Sequence, residues 1–345
     1  MKNLLKIGVI SCSTMAQLHM KAVADHAYAQ LEMICDVDEE QLKKTAEAFH
    51  IAKATTDYRD VINNPEIDAV IIVTPDQTHK EISIAALEAG KHVLCEKPLA
   101  LTIEECKEII AAAEKSDKKF MVGQICRFTP GFKQAKELID LGEIGELFFV
   151  ETEYAHDYSK IDTAWRLDPL RHGFLGGGCH AVDLARWIAG DPYEVMAYSN
   201  HKMLHHWPTD DCTIAIMRFP NDVIGKVFVS TGCKRDYTMR SVFYGSKGTI
   251  ITDNTSPFMT VFKDGLGAGD SLLQNAHAIH EIPVRLPVNI SNHNTSGELV
   301  EFLDCVLNDK PVDTTALEGT KTVIASLAAV ESTKTGMPVK INYDI

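Results

Sequence analysis

The chain has no Cys-x-x-Cys pair, no long apolar run, no excess of positive charge and no low-complexity tract. Each absence excludes a class. Nine cysteines are scattered without an even ladder, which excludes a disulfide framework and a zinc ribbon. Cys12, Cys35, Cys95, Cys126 and Cys212 lie in or beside apolar strand-like runs, as free thiols do in a reducing compartment. A formal net charge of -14 argues against a nucleic-acid partner, whose phosphates demand a basic face. No apolar stretch approaches a membrane span. Residues 1–10 are mildly basic and apolar but lack a small-residue cleavage site after them, so they are expected to form a first strand rather than a secretion signal. The expected location is the cytoplasm. His201, His205 and His206 with Asp210 and Asp211 fit no standard zinc spacing. They read as a solvated loop, and no metal is expected.

The 345 residues, 45% hydrophobic and 24% charged, suffice for two domains. In the first third, apolar runs at 4–10, 31–35, 69–73, 92–95 and 120–122 alternate with helical patterns at 15–29, 38–49, 77–89 and 103–115. Asp38 and Thr102 stand at N-cap positions, Glu105 completes a capping box, and Gly90 closes a helix. This alternation predicts an α/β, doubly wound parallel sheet of the Rossmann type over residues 1–123. Beyond residue 123 a helix at 130–140 is followed by breaks at Gly142 and Gly145. Strand-like runs then come at 147–154, 194–199, 212–219, 223–230, 241–244 and 249–252. Helices at 297–307 and 317–335 precede a last strand at 339–341. Residues 124–345 are thus expected to form an α+β domain with a large, mainly antiparallel open sheet, and the cleft between the two domains is the expected site.

The first strand-to-helix turn lacks the glycines of a dinucleotide fingerprint. Ser11, Ser13 and Ala16 stand in the three glycine positions. Ala is accepted at the third, but a Cβ at the second intrudes where a pyrophosphate approaches. The turn still joins strand to helix, so free amides and the helix dipole face the site, and serine hydroxyls can donate to phosphate. Asp36 ends the second strand about 25 residues on, where an acid binds ribose hydroxyls and repels a 2′-phosphate. This reading takes Ser11, Ser13, Thr14, Met15 and Asp36 as cofactor-binding and prefers NAD to NADP. The competing reading is a vestigial turn that binds nothing.

At the end of the fourth strand stands Glu96-Lys97-Pro98. A lysine where an apolar strand reaches its carboxyl end is costly to bury unless paired or used, and ligands of open α/β sheets bind outside those ends. Taken locally, Lys97 is either a residue of the chemistry or a side chain snorkelling off a strand end.

Thr74-Pro75, His79, Ala89-Gly90-Lys91-His92-Val93, Glu96-Lys97-Pro98, Arg127-Phe128, Trp165-Arg166, Gly176-Gly177-Gly178-Cys179-His180 with Asp183, and Thr335-Gly336-Met337-Pro338-Val339 resemble the Gfo/Idh/MocA oxidoreductases along nearly the whole chain. The resemblance implies NAD(P)-linked oxidation or reduction of a sugar, inositol or related polyol. It implies Lys97 beside the nicotinamide and the substrate oxygen, often with a cis bond to Pro98, and His180 as acid/base. Thr74, Pro75, His79, Glu96, Trp165 and Arg166 would join the cofactor-binding set, and Arg127, Asp183 and His180 would join Lys97 at the substrate. The open sheet would pair copies as a homodimer or homotetramer. Many members carry an aspartate four residues before the histidine; here that position is Gly176. One of Asp157, Asp162 and Asp168 is the proposed replacement. Asp183, three residues past His180, either orients its ring or is a first-turn acid facing the helix dipole. Two alternatives to the dehydrogenase stand: a non-catalytic sensor that binds nucleotide or sugar, and an NAD-assisted glycosidase on the same fold.

Overall fold

The computed structural model describes residues 4–161, 163–263, 283–289 and 294–345. Six parallel strands, β1 (Leu5–Ile10), β2 (Ala29–Cys35), β3 (Ala54–Thr55), β4 (Ala69–Ile72), β5 (His92–Cys95) and β6 (Phe120–Val122), form the first sheet. Its order is β3-β2-β1-β4-β5-β6, the Rossmann arrangement. Helices α1 (Thr14–Ala24), α2 (Glu39–Phe49), α3 (Tyr58–Ile62), α4 (His79–Glu88) and α5 (Ile103–Lys115) connect the strands. The central strands β1, β4 and β5 are apolar and buried on both faces, as a covered parallel sheet requires. Asp38, Asp57 and Thr102 cap α2, α3 and α5 through their side-chain oxygens. The helical pattern expected to run to residue 29 stops at Ala24 because Ala29 is drawn into register with Leu5. Tertiary pairing there overrides local spacing.

The second half contributes α6 (Pro130–Asp140), β7 (Leu147–Ala155), the single turn α7 (Gly173–Gly176), α8 (Cys179–Ala189), β8 (Glu194–Asn200), β9 (Cys212–Arg218), β10 (Ile224–Ser230), β11 (Thr238–Gly245), β12 (Gly248–Asp253), β13 (Phe258–Lys263), β14 (Val284–Pro287), α9 (Thr295–Leu307), α10 (Ala316–Thr335) and β15 (Val339–Lys340). The nine strands order as β14-β13-β12-β11-β7-β10-β9-β8-β15. The sheet is antiparallel except for one pair: β10 runs parallel to β7, with Ile224 opposite Phe149. The α8 crossover returns the chain in the direction of β7, and the β8–β9 hairpin then turns it so that β10 pairs parallel. A pure meander does not contain that step. Strands β13 and β14 are additions to the sequence expectation.

One face of this sheet packs on α8 and α10. The other exposes Phe148, Tyr198, Ile214, Ile216 and Ile224. Beyond residue 123 the chain also returns to the first sheet's core. Leu299, Phe302 and Leu303 of α9 pack with Met20 and Val23 of α1, and Ala316 and Val323 of α10 pack with Cys106 and Ile109 of α5. The nucleotide-type unit is therefore completed by the last helices of the chain.

Phe302 is fully buried in that junction. Phe302→Ala is expected to cost about 3–5 kcal/mol, read as a lower urea midpoint at an unchanged slope.

Candidate active site

The carboxyl ends of β1, β4 and β5 open on one side of the first sheet, where the neighbours β1 and β4 mark the point at which strand order reverses. A cleft of about 590 Å³ lies there. Ser11, Ser13, Thr14, Met15, Asp36, Thr74, Pro75, His79, Glu96, Lys97, Trp165 and Arg166 line it, together with Asp76, Lys160 and Arg171. An adjoining cavity of about 610 Å³ runs from Ser11, Asp36 and Pro75 to Val37, Tyr58, Arg59 and Ile82.

The first turn works without its glycines by using its serines as caps. Ser11 takes the left-handed conformation, φ 118°, where a side chain is strained. Its N–H donates to Cys35 O (2.8 Å) and its hydroxyl accepts from Ser13 N (3.1 Å). Ser13 sits at φ -58° and its hydroxyl caps α1 at Ala16 N (3.4 Å). The conformational demand thus falls on Ser11, and Ser13 meets none that needs glycine. Asp36 fixes the turn from across β2: one oxygen accepts from Cys12 N (2.6 Å), the other from Asp38 N (2.9 Å). A helix N-terminus facing the cleft suits a pyrophosphate. An acid at the mouth of a mainly apolar cavity suits an adenosine ribose. The residues present therefore fit a dinucleotide.

Lys97 follows β5, and its peptide bond to Pro98 is cis. Two neighbours hold this step. His79 places Nδ1 2.9 Å from Pro98 O and Nε2 3.0 Å from Thr74 O. Both partners are acceptors, so both ring nitrogens must donate and the ring is an imidazolium. Burial opposes that charge, but Cys95, Asp76 and the Pro98 carbonyl outweigh it and push the pKa up to about 10. Glu96 accepts from Lys97 N (3.1 Å) and faces His19 Nε2 (3.1 Å). Burial would raise its pKa, but His19 and Lys97 bring it down to about 2. Among the described residues Lys97, Lys160 and Arg166 enter no ion pair, so the cleft carries positive charge free to meet a ligand.

On the far wall the structure rearranges the sequence expectation. Arg127 and Asp183 do not line the cleft. Arg127 grips Asp183 with two bonds (2.9 and 2.7 Å) and reaches Glu318 (3.3 Å). Asp183, fully buried, also accepts from Thr322 (3.0 Å). These residues strut α8 to α10, and Asp183 stands past the first turn of α8, which corrects its reading as an acid facing the helix dipole. His180 opens α8, 2% exposed, and stacks on Tyr154 at 6.0 Å. The Tyr154 hydroxyl meets the Tyr158 hydroxyl at 2.7 Å and His156 Nδ1 at 3.3 Å. Burial, then Arg166, lowers the His156 pKa, which keeps its imidazole neutral near pH 7. This layer escaped sequence reasoning, although the period-two spacing of Tyr154, His156 and Tyr158 off a strand end was its signal.

Arg171 was also unforeseen. A Cβ on Gly176 would lie 2.3 Å from Arg171 Nη1, so a guanidinium fills the space an aspartate there would enter. Arg171 pairs with Asp76 (2.6 Å), both nearly fully buried, and stacks on Trp165 at 4.8 Å, as Arg166 does at 4.5 Å. Of the acids proposed as replacements, Asp157 is bonded to Ser159 and Lys234, and Asp168 to Gln77 and Leu170. Asp162 lies outside the described residues.

The pattern of the oxidoreductase family with an NAD-binding Rossmann fold matches residues 5–124, and that of the GFO/IDH/MocA C-terminal domain matches residues 132–251. The chain belongs to the Gfo/Idh/MocA family. It is an NAD-binding oxidoreductase of that family. Among its relatives, the uncharacterized oxidoreductase YrbE of Bacillus subtilis is 25% identical over 97% of this chain and 96% of its own length. Myo-inositol 2-dehydrogenase of Thermotoga maritima is 29% identical over 76% of this chain and 79% of its own. The solved structure of a levoglucosan dehydrogenase in complex with NADH shares the fold, with a TM-score of 0.87 at 24% identity over 98% of this chain and 99% of that one.

Asp36→Ser is expected to weaken NADH binding and strengthen NADPH binding, measured by titrating nucleotide fluorescence. Removing Asp76 leaves Arg171 buried without its partner. Asp76→Ala should therefore cost about 3–5 kcal/mol in urea unfolding, and adding Arg171→Leu should return part of that loss.

Proposed function

We propose that the chain is an NAD-dependent dehydrogenase acting on a CH–OH group of a sugar, inositol or related polyol, with Lys97 and His180 at the reacting centre. The observation that carries this reading is the placement of the Lys97 side chain. Among the described residues it lines the cofactor cleft without an ion pair, while His79 and Glu96 fix its backbone. NAD, when bound, accepts the hydride from the carbinol carbon.

The protein supplies the rest. Lys97 donates a hydrogen bond to the carbinol oxygen and stabilises the negative charge that grows on it. His180 takes the hydroxyl proton. Tyr154, stacked on His180 and bonded to Tyr158 and His156, holds that ring and links it to the more exposed imidazole. Trp165, backed by two guanidinium groups, forms the wall against which cofactor and substrate are held. The outer face of the nine-stranded sheet, where Tyr198, Ile214, Ile216 and Ile224 are exposed, is the surface through which copies assemble as a dimer or tetramer.

A second reading, a sensor without turnover, draws on the filling of the Gly176 side by Arg171. The two readings part on one assay. Purified protein with NAD is offered inositols, hexoses and pentitols, and NADH is followed by absorbance. Turnover supports the dehydrogenase; NADH binding without turnover of any of them supports the sensor. In the active case Lys97→Ala is expected to lower kcat by about 10²–10⁴-fold with NADH affinity changed little. Unchanged turnover in that variant would remove Lys97 from the chemistry.

A further inference from the structure

Beside Lys97, with Glu96 itself lining the cleft, three ionisable side chains meet from three separate elements. His19 comes from α1, Glu96 from the end of β5, and Glu298 from α9. His19 Nε2 lies 3.1 Å from Glu96 Oε1 and 3.9 Å from Glu298 Oε2, and the three side chains are 1%, 10% and 0% exposed. Glu96 is the satisfied carboxylate of the group, bonded to His19 and to Lys97 N. Glu298 is different: among the described residues neither of its oxygens has a hydrogen-bond donor. A second naked carboxylate beside the first, sealed from water, is among the most costly arrangements a fold can hold. A proton on Glu298 removes the charge and turns one oxygen into a donor, with a Glu96 oxygen within 4.8 Å.

We propose that Glu298 and His19 are positioning residues for Lys97, with Glu298 a neutral acid that lies against Glu96 and shares its hydrogen bonding. This rests on the role given to Lys97 above. The placement gives the cluster its consequence. The N-terminus of α1 is the phosphate-facing turn, Glu96 immediately precedes Lys97, and α9 packs along α1, with the Thr295 hydroxyl 3.4 Å from Leu18 O. The cluster therefore ties the cofactor turn, the lysine and the C-terminal helix into one unit.

The titratable groups facing Glu298 are His19, Glu96, Lys97 and, from the turn after β6, Cys126. Burial first, then Glu96, holds the Glu298 carboxyl well above the usual carboxylate range. The sign follows. An unfolded Glu ionises near pH ~4.3. Above that pH the folded chain keeps a proton the unfolded chain has lost, so stability falls as pH rises until Glu298 ionises in the fold.

The test uses the full chain with Glu298→Gln, Glu298→Ala and His19→Gln. Without any substrate, wild type should show an infrared carboxylic-acid C=O band at neutral pH that Glu298→Gln lacks. The Gln variant should melt higher than wild type, by a gap that widens from pH 5 to pH 8. Its NADH affinity and kcat should stay within about twofold, whereas Glu298→Ala and His19→Gln should each lose about tenfold, the scale of one buried hydrogen bond. Absence of the acid band overturns the proposal. So does a Gln variant as impaired as Ala, which would mean that an ionised carboxylate is needed. One equivalent of bound divalent metal, with melting lowered by chelator, also overturns it and makes the cluster a cation site. The band, the melting gap and NADH binding need no turnover, so they stand or fall separately from the dehydrogenase reading.

Discussion

The ion pair between Asp76 and Arg171 is the constraint around which the site is arranged. It joins the turn after β4 to the chain entering α7, so one buried contact fixes the nucleotide-type unit against the unit that carries His180. Two charges so far from water are held by each other, by the Gly176 carbonyl that accepts from Arg171 Nη2 (3.4 Å), by the His79 ring near Asp76 and by the Trp165 ring stacked on the guanidinium. The same guanidinium occupies the side of Gly176. The wall of the cleft, the angle between the units and the absence of an acid before His180 are therefore one structural fact. An aspartate at position 176 requires a different Arg171, and a different Arg171 strands Asp76.

Much of this was legible in the sequence because it is local. Strand–helix alternation, the caps Asp38 and Thr102, and the run Glu96-Lys97-Pro98 at a strand end depend on neighbours a few residues away. All of the residues expected around the cofactor do line one cleft. What was not legible depends on partners far along the chain. Arg127 meets Asp183 across 56 residues and Asp76 meets Arg171 across 95. Spacing cannot separate a charge that faces a ligand from one that struts two helices. The parallel pairing of β7 with β10 was hidden for the same reason, since strand direction follows from the whole path between the strands.

The first turn shows how a missing motif can mislead. Glycines are favoured there because one position needs a positive φ and another a close backbone approach. Here the first need is met by strain at Ser11. The hydroxyls of Ser11 and Ser13 cover N–H groups that the turn would otherwise leave bare. The pattern is absent, yet the positive φ it encodes at its first position is present.

The edges of both sheets are short. The first sheet ends in strands of two and three residues, and the second, among the described residues, in strands of four and two. The inner strands of the second sheet run from six to nine residues. Unpaired backbone at a long edge is a template on which another chain can add a strand. Among the described residues the two sheets offer almost no such template, while the outer face of the larger sheet stays open, its exposed apolar side chains interleaved with the pairs Lys226–Glu151 and Arg240–Glu151. Short edges leave little backbone on which a strand-by-strand growth without natural end could begin.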